Sequence, residues 1–520
     1  MTDSPTPPDP AARRGRPPRD PHAWRWPSCG AAILAVGVLV MLAWPGGPAS
    51  TRAAEPAPGA AQRPSATQPA KPSRSVLLGI RDAKQRLGDA VPTGRGVDFA
   101  HVEGAAGDYM PDTQAKVFNG VDIVGKSGDS KTNKHAQGTA RVLYGGKGLA
   151  PGVTDVSGYT TAGWMRDVLR LGTALPPAEA VPRVHTHSWI GENREFGGEV
   201  LLRTDHLVDT HDRLVVVGVN NGRDTPVPQL LASSYNAIAV GTASGDGASS
   251  GGGTRDAWPG RSKPDIVGAQ GLTSFATPQV AAVVARLVEA AGAMPFYVEH
   301  ADKSEVIKAV LLAGASKPWG WRQAGGRPLH DRYGAGIAHL DNSLKVLAGG
   351  PASLATVGDA DEPRPAGRFG WWFGELEPGG RARVAIAAEA GDGPLSVVAV
   401  WHRRVDGETV ITAEGGQRRG SWEATEGLAD FDLVASIEGR AGGEEPARAL
   451  LGLSRSRIDN VEHVFLPRLP GDVGEARTVW LDVIRPPGGG RGVGKTEAWG
   501  VALAWRIGGW DPADGPAGRE

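Results

Sequence analysis

A serine beside an apolar run is the first residue of this chain whose type and position could do chemistry. Ser274 lies in GLTSFATPQVAAVVARLVEAAG, residues 271–292, one turn before Pro278. A proline suits the first turn of a helix, so the pattern predicts a buried helix over residues 277–291. The positive end of a helix stabilises a developing oxyanion. Ser274 is therefore a candidate nucleophile, although a serine in this position read alone is usually only a helix cap.

A serine hydroxyl becomes a useful nucleophile only when a base, usually a histidine held by a carboxylate, takes its proton. The stretch TSFATPQVAA resembles the serine motif of the subtilisin-like serine proteases, the subtilases. Further segments resemble motifs of that family and follow its order along the chain. They are KHAQGTARVLYGGKGLAPG, RVHTHSWIG, LVVVGVNNG, KPDIVGAQG and RYGAGIAHLDNSLKVL. The resemblance covers residues 78–348.

The resemblance implies a role for each matched position. His135 becomes the general base for Ser274, and Asn221 becomes the oxyanion-hole donor. Residues of RVHTHSWIG would line the substrate cleft, namely Ser188, Trp189 and Gly191. Trp189 suits core packing equally well. The implied activity is that of a serine endopeptidase acting on protein or peptide substrates, with no cofactor required for the chemistry.

The acid of the predicted triad departs from the family pattern. The family places an aspartate at the end of its first core strand, whereas GRGVDFAHVEGAAG ends its strand at Glu103. Glu ionises much as Asp does, so the difficulty is to absorb one extra methylene without moving the carboxylate. We expect Glu103 to be the acid. Asp98, expected in mid-strand, and Asp108 and Asp112, in the following loop, stay open as alternatives.

Three further positions differ from the family pattern, and they leave a second hypothesis open. Leu272 and Asn220 stand where glycine is usual, and Gln137 stands where threonine is usual. A catalytically inactive subtilase fold that works as a binding or surface protein would tolerate such changes. The serine, the histidine and the oxyanion asparagine are all retained, which favours the active protease.

The elements that must position these residues alternate along the first part of the chain. Apolar runs such as GVDFAHV, RLVVVGV and AIAVGTA predict buried strands. Helices are predicted over residues 137–144, 161–172, 197–210, 277–291 and 304–316, the last with Ser304 as N-cap. This alternation indicates an α/β fold with a parallel sheet, expected over residues 74–350. From about residue 355 apolar and polar residues alternate between glycines and prolines, which predicts an antiparallel β-sandwich over residues 366–510.

The N-terminus indicates export. Arginines precede an apolar run at residues 29–44, and small residues follow it, so residues 1–54 read as a signal peptide. An uncleaved anchor is the alternative, but the run is short for a membrane span. We expect a secreted, periplasmic or cell-surface protein without stable membrane insertion after cleavage, and a disordered linker over residues 55–73. Cys29 is the single cysteine, so no intramolecular disulfide can form. The net charge of −1 gives no indication of a nucleic-acid partner.

Weaker patterns suggest other ligands. GGRGVGKT, residues 489–496, matches a phosphate-binding loop, but a strand-like segment follows it, so we interpret it as a hairpin loop. Two histidine pairs lack a third zinc ligand at a characteristic spacing and are expected to play packing or surface roles. Five C-terminal residues offer oxygen ligands for a structural Ca²⁺, although turn capping is the plainer interpretation. The histidine pairs are His185 with His187 and His206 with His211, and the oxygen ligands are Asp430, Asp432, Asp459, Asn460 and Glu462.

Overall fold

The described part of the chain begins after the predicted signal peptide and linker. The computed structural model describes residues 73–104, 107–256, 259–294, 298–318, 320–323, 326–354, 365–414, 417–438, 448–494 and 496–509. The predicted signal peptide, and the predicted linker as far as residue 72, lie outside these ranges. Among the helices in these ranges, none is both long and apolar enough to cross a membrane.

A parallel sheet of seven strands forms the centre of the first part. Its spatial order is β2-β3-β1-β4-β5-β6-β7, and each neighbouring pair is parallel. The strands are β1 (Phe99–Glu103), β2 (Asp122–Gly125), β3 (Asp155–Thr160), β4 (Val184–His187), β5 (Leu214–Gly218), β6 (Ile238–Thr242) and β7 (Ile266–Gly268). Strands β1, β4, β5 and β6 are buried along their whole length, which explains the continuous apolar runs of β5 and β6, whereas β1 and β4 also bury polar side chains.

Helices cover both faces of this sheet. They are α1 (Arg74–Leu77), α2 (Ile80–Leu87), α3 (Lys134–Leu143), α4 (Thr161–Asp167), α5 (Gly197–His211), α6 (Thr273–Gly292), α7 (Ser304–Gly314) and α8 (Leu340–Ala348). Alternate residues of β5 point to opposite faces of the sheet and belong to two different apolar cores. Leu214 and Val216 belong to the apolar core that contains α6, whereas Val215 and Val217 belong to the core that contains α4 and α5.

Helix α6 begins earlier than its sequence predicts. It starts at Thr273, so Ser274 lies inside its first turn and Pro278 lies within the helix rather than opening it. A proline inside a helix leaves the carbonyl four residues before it without a backbone donor. Here that carbonyl belongs to Ser274, and it accepts a hydrogen bond of 3.0 Å from Oγ of Ser188 on the neighbouring segment. The prediction was wrong because a side chain distant in sequence replaces the donor that proline lacks.

The predicted N-cap of helix α7 is also corrected. Lys303 occupies the N-cap position, and Ser304 is the first helical residue. Oδ1 of Asp212 accepts hydrogen bonds from the backbone N–H of Ser304 at 2.7 Å and from its hydroxyl at 2.6 Å. A carboxylate just beyond the end of α5 therefore does the capping that the sequence pattern assigned to Ser304 itself.

The second part consists of antiparallel strands. They are β8 (Phe369–Leu376), β9 (Arg381–Glu389), β10 (Leu395–Val400), β11 (Arg404–Glu414), β12 (Gln417–Ala429), β13 (Asp432–Glu438), β14 (Arg448–Ser454), β15 (Val461–Leu466), β16 (Ala476–Ile484), β17 (Gly490–Arg491) and β18 (Trp499–Ile507). Two four-stranded sheets, β15-β10-β18-β8 and β14-β13-β16-β9, share one apolar core, and β11-β12-β17 forms a smaller third sheet. The phosphate-loop match contains β17, which pairs with β12, and it is followed by a strand, β18, as the sequence predicts. The predicted hairpin is wrong, because β16 and β18 on either side of this segment belong to different sheets.

The sheet that contains β10 and β18 is buried on both faces. Val397 and Leu503 point into the core of the sandwich, whereas Val398 and Ala504 belong to the core that contains α7 and α8. This explains why LSVVAV is buried at every position instead of alternating. The predicted fold class, a parallel α/β sheet followed by antiparallel β-sheets, is confirmed. Helix α8 ends at Ala348 and β8 starts at Phe369, and the domain limits between them stay predictions.

Candidate active site

The end of strand β1 and the start of helix α3 bring the predicted acid and base together. Glu103 is the last residue of β1. Asn133 caps α3 by accepting hydrogen bonds from the backbone N–H groups of His135 and Ala136, which places His135 in the first turn. The His135 Nδ1–H group donates to Oε2 of Glu103 at 2.6 Å. The geometry is that of a carboxylate holding an imidazole with its Nε2 atom free to accept a proton.

The second carboxylate oxygen of Glu103 is held from the opposite side. Oε1 accepts hydrogen bonds from the hydroxyl of Thr139 at 2.7 Å and from Nε2–H of His101 at 3.0 Å. Nδ1 of His101 in turn accepts a hydrogen bond from the hydroxyl of Tyr144 at 2.9 Å, which assigns the Nε2–H tautomer to His101. Both oxygens of the longer side chain are thereby fixed in place.

Burial and hydrogen bonding act in opposite directions on the charges of this pair. The Glu103 side chain is 2% exposed. Burial disfavours its ionisation, but hydrogen bonds from His101 and His135 outweigh that effect and lower the pKa of Glu103 to about 2. Burial also lowers the pKa of His135, but the hydrogen bond and charge of Glu103 overcome it and raise that pKa above 6.5. Glu103 is therefore a carboxylate near neutral pH and stabilises the imidazolium form of His135.

The alternative acids lie in other surroundings. Asp98 precedes β1 instead of lying in mid-strand as expected, and its Oδ1 accepts a hydrogen bond from the backbone N–H of Arg183. Oδ1 of Asp108 accepts from the N–H of Lys131, and Oδ1 of Asp112 accepts from the N–H of a residue in its own loop. Only Glu103, among the acidic residues that the structure describes, forms an ion pair with His135.

Helices α3 and α6 approach closely at the site. A Cβ atom at Gly138 on α3 would lie 3.0 Å from the ring of Phe275, so a larger residue there would have to displace that ring. The ring of His135 lies 6.1 Å, centroid to centroid, from the ring of Phe275, the neighbour of Ser274. Within the described residues no hydrogen bond joins His135 to Ser274. Such bonds are often long in the absence of substrate.

Asn221 is oriented by the residue before the serine. Its Oδ1 accepts hydrogen bonds from the backbone N–H of Thr273 at 2.9 Å and from the Thr273 hydroxyl at 3.1 Å. Because the carbonyl oxygen of the amide is occupied, Nδ2 is the group left to donate outward. The structure thus places an amide donor beside the N-terminus of α6, where the helix dipole also favours negative charge.

The predicted cleft residues have three different surroundings. Ser188 donates to the carbonyl oxygen of Ser274, as described above. Trp189 is only 4% exposed, belongs to the core, and donates its indole N–H to Nδ1 of His187 at 3.1 Å. The backbone N–H and C=O of Gly191 both pair with Leu230. These contacts favour the packing interpretation of Trp189, and the substrate contacts of this segment stay predictions.

The departures from the family pattern have local explanations. Leu272 has extended backbone angles, φ −126° and ψ 135°, so nothing in its conformation requires glycine. Asn220 does not have a positive φ, so its conformation does not require glycine either. Oε1 of Gln137 accepts a hydrogen bond of 2.6 Å from the backbone N–H of Asp112 and ties α3 to the preceding loop.

His101 and Thr139 were not identified from the sequence. His101 lies two residues before Glu103 on the same strand, and side chains at that spacing share a face. Thr139 lies one helical turn after His135, and side chains at that spacing share a helix face. Both spacings could have been read from the sequence once Glu103 and His135 were paired.

The other candidate ligands are largely engaged with protein groups. His185 bonds with Trp164 and with the carbonyl of Pro182, and His206 lies 2.6 Å from the carbonyl oxygen of Val405. Asp459 and Glu462 accept hydrogen bonds from serines, and the Asn460 amide donates to backbone carbonyls. The contacts with Ser454 and Ser456 are local, as turn capping predicts, whereas the other contacts of Asp459 and Asn460 join distant segments. Asp430 and Asp432 line an open pocket with Arg455 and Arg457. The supporting hydrogen bonds join Asp459 to Ser262 and Ser456, Glu462 to Ser454 and Ser456, and Asn460 to Tyr235 and Trp401.

Comparisons with known proteins return structural matches only. No protein-family model matches the sequence, and no curated protein matches it significantly. One solved structure is described as proteases from Pseudoalteromonas arctica, with 12% identity, a TM-score of 0.35, and coverage of 52% of this chain and 94% of that chain. Another is a cold-adapted subtilisin-like serine proteinase, with 19% identity, a TM-score of 0.30, and coverage of 43% and 84%. The roles proposed below rest on the contacts of this chain's own residues.

Proposed function

We propose that the chain is an exported serine endopeptidase that forms an acyl-enzyme on Ser274. The observation that carries the proposal is the 2.6 Å hydrogen bond from His135 Nδ1 to Glu103, made beside the helix whose first turn contains Ser274. A buried carboxylate that orients a partly exposed imidazole is the arrangement needed to activate a hydroxyl nucleophile. The amide of Asn221, oriented by Thr273, supports an oxyanion hole in the same place.

The proposed reaction proceeds in two halves. Nε2 of His135 takes the proton of the Ser274 hydroxyl while Oγ attacks the scissile carbonyl carbon. The resulting oxyanion is held by Nδ2 of Asn221 and by the backbone N–H of Ser274, and loss of one such donor typically costs about 100- to 1000-fold in rate. His135 then gives the proton to the leaving amine, which leaves an ester on Ser274. Water, activated by His135, hydrolyses that ester and restores the enzyme.

Glutamate replaces aspartate as the acid in this proposal, and the contacts of Glu103 support the exchange. An extra methylene makes the carboxylate more mobile, and a displacement of about 1 Å can cost about 100-fold in rate. His101 and Thr139 hold Oε1 while His135 is bonded to Oε2, so the carboxylate has little freedom to move. The hydrogen bonds from His101 and Thr139 thus restrict the longer side chain of Glu103.

Protein or peptide substrates and export complete the proposal. Export rests on the basic and apolar N-terminal sequence, residues 1–54. No cofactor takes part in the proposed steps, and a structural Ca²⁺ near the C-terminal carboxylates is a separate question for metal analysis. The peptide sequence preference is left to be measured.

Labelling with a fluorophosphonate probe tests the proposal directly. The probe phosphonylates a serine only when base and oxyanion hole are assembled around it. We expect the purified protein to be labelled and Ser274→Ala to be unlabelled. Ser244→Ala supplies a control because Ser244 is an exposed serine in a turn, and it should label as the parent does.

The inactive-fold hypothesis makes the opposite prediction. A correctly folded sample that is neither labelled nor able to cleave a casein substrate would overturn the protease proposal. Recovery of labelling in Glu103→Asp would then identify the acid as the cause, whereas continued absence of labelling would support a binding role for the fold.

A further inference from the structure

A second cluster of ionisable side chains lies away from Glu103 and His135. Asp209 is in the last turn of α5, Glu305 is in the first turn of α7, and His402 follows β10. One potential ligand atom from each residue lies within 4.8 Å of the others. Three elements from both parts of the chain therefore converge on one point.

The imidazole ring of His402 is buried at this point and has no hydrogen-bond partner in the described part of the chain. The residue is 2% exposed. Within the described residues, neither Nδ1 nor Nε2 of His402 makes a hydrogen bond. Nδ1 lies close to both carboxylates, 3.4 Å from Oδ1 of Asp209 and 3.4 Å from Oε1 of Glu305. A buried polar atom left in this way is costly unless another group binds it.

The distances fit a tetrahedral metal ion. Zn–N and Zn–O bonds of about 2.0–2.1 Å at tetrahedral angles place two ligand atoms about 3.3 Å apart. Both distances from Nδ1 of His402 agree with that separation. Imidazole together with carboxylates suits zinc, whereas Ca²⁺ and Mg²⁺ prefer oxygen ligands alone.

The charges at the cluster also favour a cation. Asp209 and Glu305 make ion pairs only with His402 among the described residues. The Asp209 and Glu305 side chains keep 18% and 12% exposure, so a water molecule can supply the fourth ligand.

We propose that Asp209, Glu305 and His402 form a structural zinc site that fastens helices α5 and α7 to the β10–β11 connection. The neighbouring residue supports this role for the connection. Arg403 forms an ion pair with Asp205 on α5, and its backbone N–H donates to Oδ1 of Asn236 at 2.8 Å. A zinc ion bound to His402 would attach the same connection at the residue next to Arg403. The alternative is that no metal ion binds and that His402 is protonated, so that its imidazolium ring pairs with Asp209 and Glu305.

Metal analysis and thermal unfolding of the purified full chain test the proposal. We expect about one zinc per chain by mass spectrometry, a lower Tm after chelation, and recovery of the Tm when ZnSO₄ is added. His402→Gln should abolish the recovery and weaken zinc binding by at least about 100-fold, because loss of an outer partner alone costs about 10- to 100-fold.

Asp212→Asn is the matched control. Asp212 lies at the same junction and caps α7, but it is outside the cluster. This variant should have a lower Tm and an unchanged response to zinc. If His402→Gln does not fold, Asp209→Asn and Glu305→Gln take its place.

Two results would overturn the proposal. One is a parent protein that contains no zinc and whose Tm does not respond to added ZnSO₄, which would assign the cluster to an imidazolium ion pair. The other is an equal zinc response in the parent and in His402→Gln, which would place zinc elsewhere on the chain.

Discussion

At the residue scale, the proposed acid is defined by its neighbours as much as by its own type. Glu103 accepts hydrogen bonds from three side chains, and only one of them belongs to the proposed base. The other two, His101 and Thr139, act on the oxygen that faces away from His135. In the proposed mechanism they are positioning residues, because they would act on the reaction through Glu103, and neither forms a hydrogen bond with Ser274 among the described residues.

Thr139→Val tests this positioning role. The change keeps the shape of the side chain but removes the hydrogen bond to Oε1 of Glu103. We expect kcat to fall about tenfold or more with little change in KM, because the imidazole is less well oriented. Thr161→Val is the control, since Thr161 donates to the backbone carbonyl of Glu103 and not to its carboxylate. Equal losses in the two variants would contradict the positioning role.

The raised pKa of His135 predicts the pH dependence of the proposed activity. Only the neutral imidazole can accept the proton of Ser274, and a raised pKa keeps His135 protonated to higher pH. We therefore expect kcat/KM to fall as the pH decreases through a value above 6.5. Glu103, with a pKa of about 2, stays ionised over that range.

Glu103→Gln checks the cause of that pH dependence. Removal of the charge that stabilises the imidazolium should move the acid limb of kcat/KM to lower pH, and kcat should fall by about 10⁴-fold. A pH profile measured on the parent and on the variant gives both quantities. An acid limb that stays in place would show that another group controls the titration.

The sequence predicted Glu103, His135, Ser274 and Asn221, because each belongs to a short motif whose order is readable along the chain. It did not indicate the engaged backbone of Gly191, and it left the burial of Trp189 open beside a role in the cleft. Those depend on Leu230 and on His187, and the packing of side chains from separate strands is not encoded in a local pattern. Local motifs therefore identified candidate chemical groups better than they identified their surroundings.

At the scale of elements, helix α6 depends on a hydrogen bond from outside the helix. Ser188 supplies the donor for the Ser274 carbonyl that Pro278 cannot supply. This bond also joins the segment after β4 to the turn that contains the proposed nucleophile. The start of α6 is fixed by this tertiary contact, which is why a rule based on proline placed it four residues too late.

A double-mutant cycle tests that compensation. Ser188→Ala should reduce the free energy of unfolding by about 1–3 kcal/mol, the typical cost of leaving a buried acceptor unpaired. Pro278→Ala restores a backbone N–H that can reach the Ser274 carbonyl, so Ser188→Ala should cost clearly less in that background. Urea unfolding of the four proteins measures the coupling, and strictly additive effects would contradict it.

At the scale of the whole molecule, the two parts share a structural layer. The sheet containing β10 and β18 supplies one face to the sandwich core and the other to the core around α7 and α8. Buried polar contacts cross the same boundary. Arg506 on β18 donates to the carbonyls of Ala313 and Ala315, and Asn460 donates to the carbonyl of Tyr235.

Val398→Ala should therefore destabilise both parts together. Val398 is fully buried on the face of β10 that contacts the α/β core. We expect a loss of about 1–3 kcal/mol, with the loss of fluorophosphonate labelling and the loss of β-sheet circular dichroism shifted to the same lower temperature. Val473→Ala, at a position 77% exposed, is the control and should change stability by less than about 0.5 kcal/mol. Two separate unfolding transitions would show that the parts are independent.

The sequence predicted the two parts of the chain and their order, but it did not predict that the two parts share the sheet that contains β10 and β18. Alternation of strands and helices indicated the parallel sheet, and turn-rich β segments indicated the sandwich. The cluster of Asp209, Glu305 and His402 has no sequence signature, because its members are spread over three elements and both parts. Only the folded chain brings them to one point.

The sheet that contains β10 and β18, buried on both faces, also affects when the chain can finish folding during synthesis. A ribosome releases residues 74–348 long before it releases β18, residues 499–507. Until that strand arrives, the apolar sides of α7 and α8 are only partly covered, by β8 and β10 among others, and the first part resembles a folding intermediate. The packing of the first part would thus be completed only when the last strand of the second part is in place.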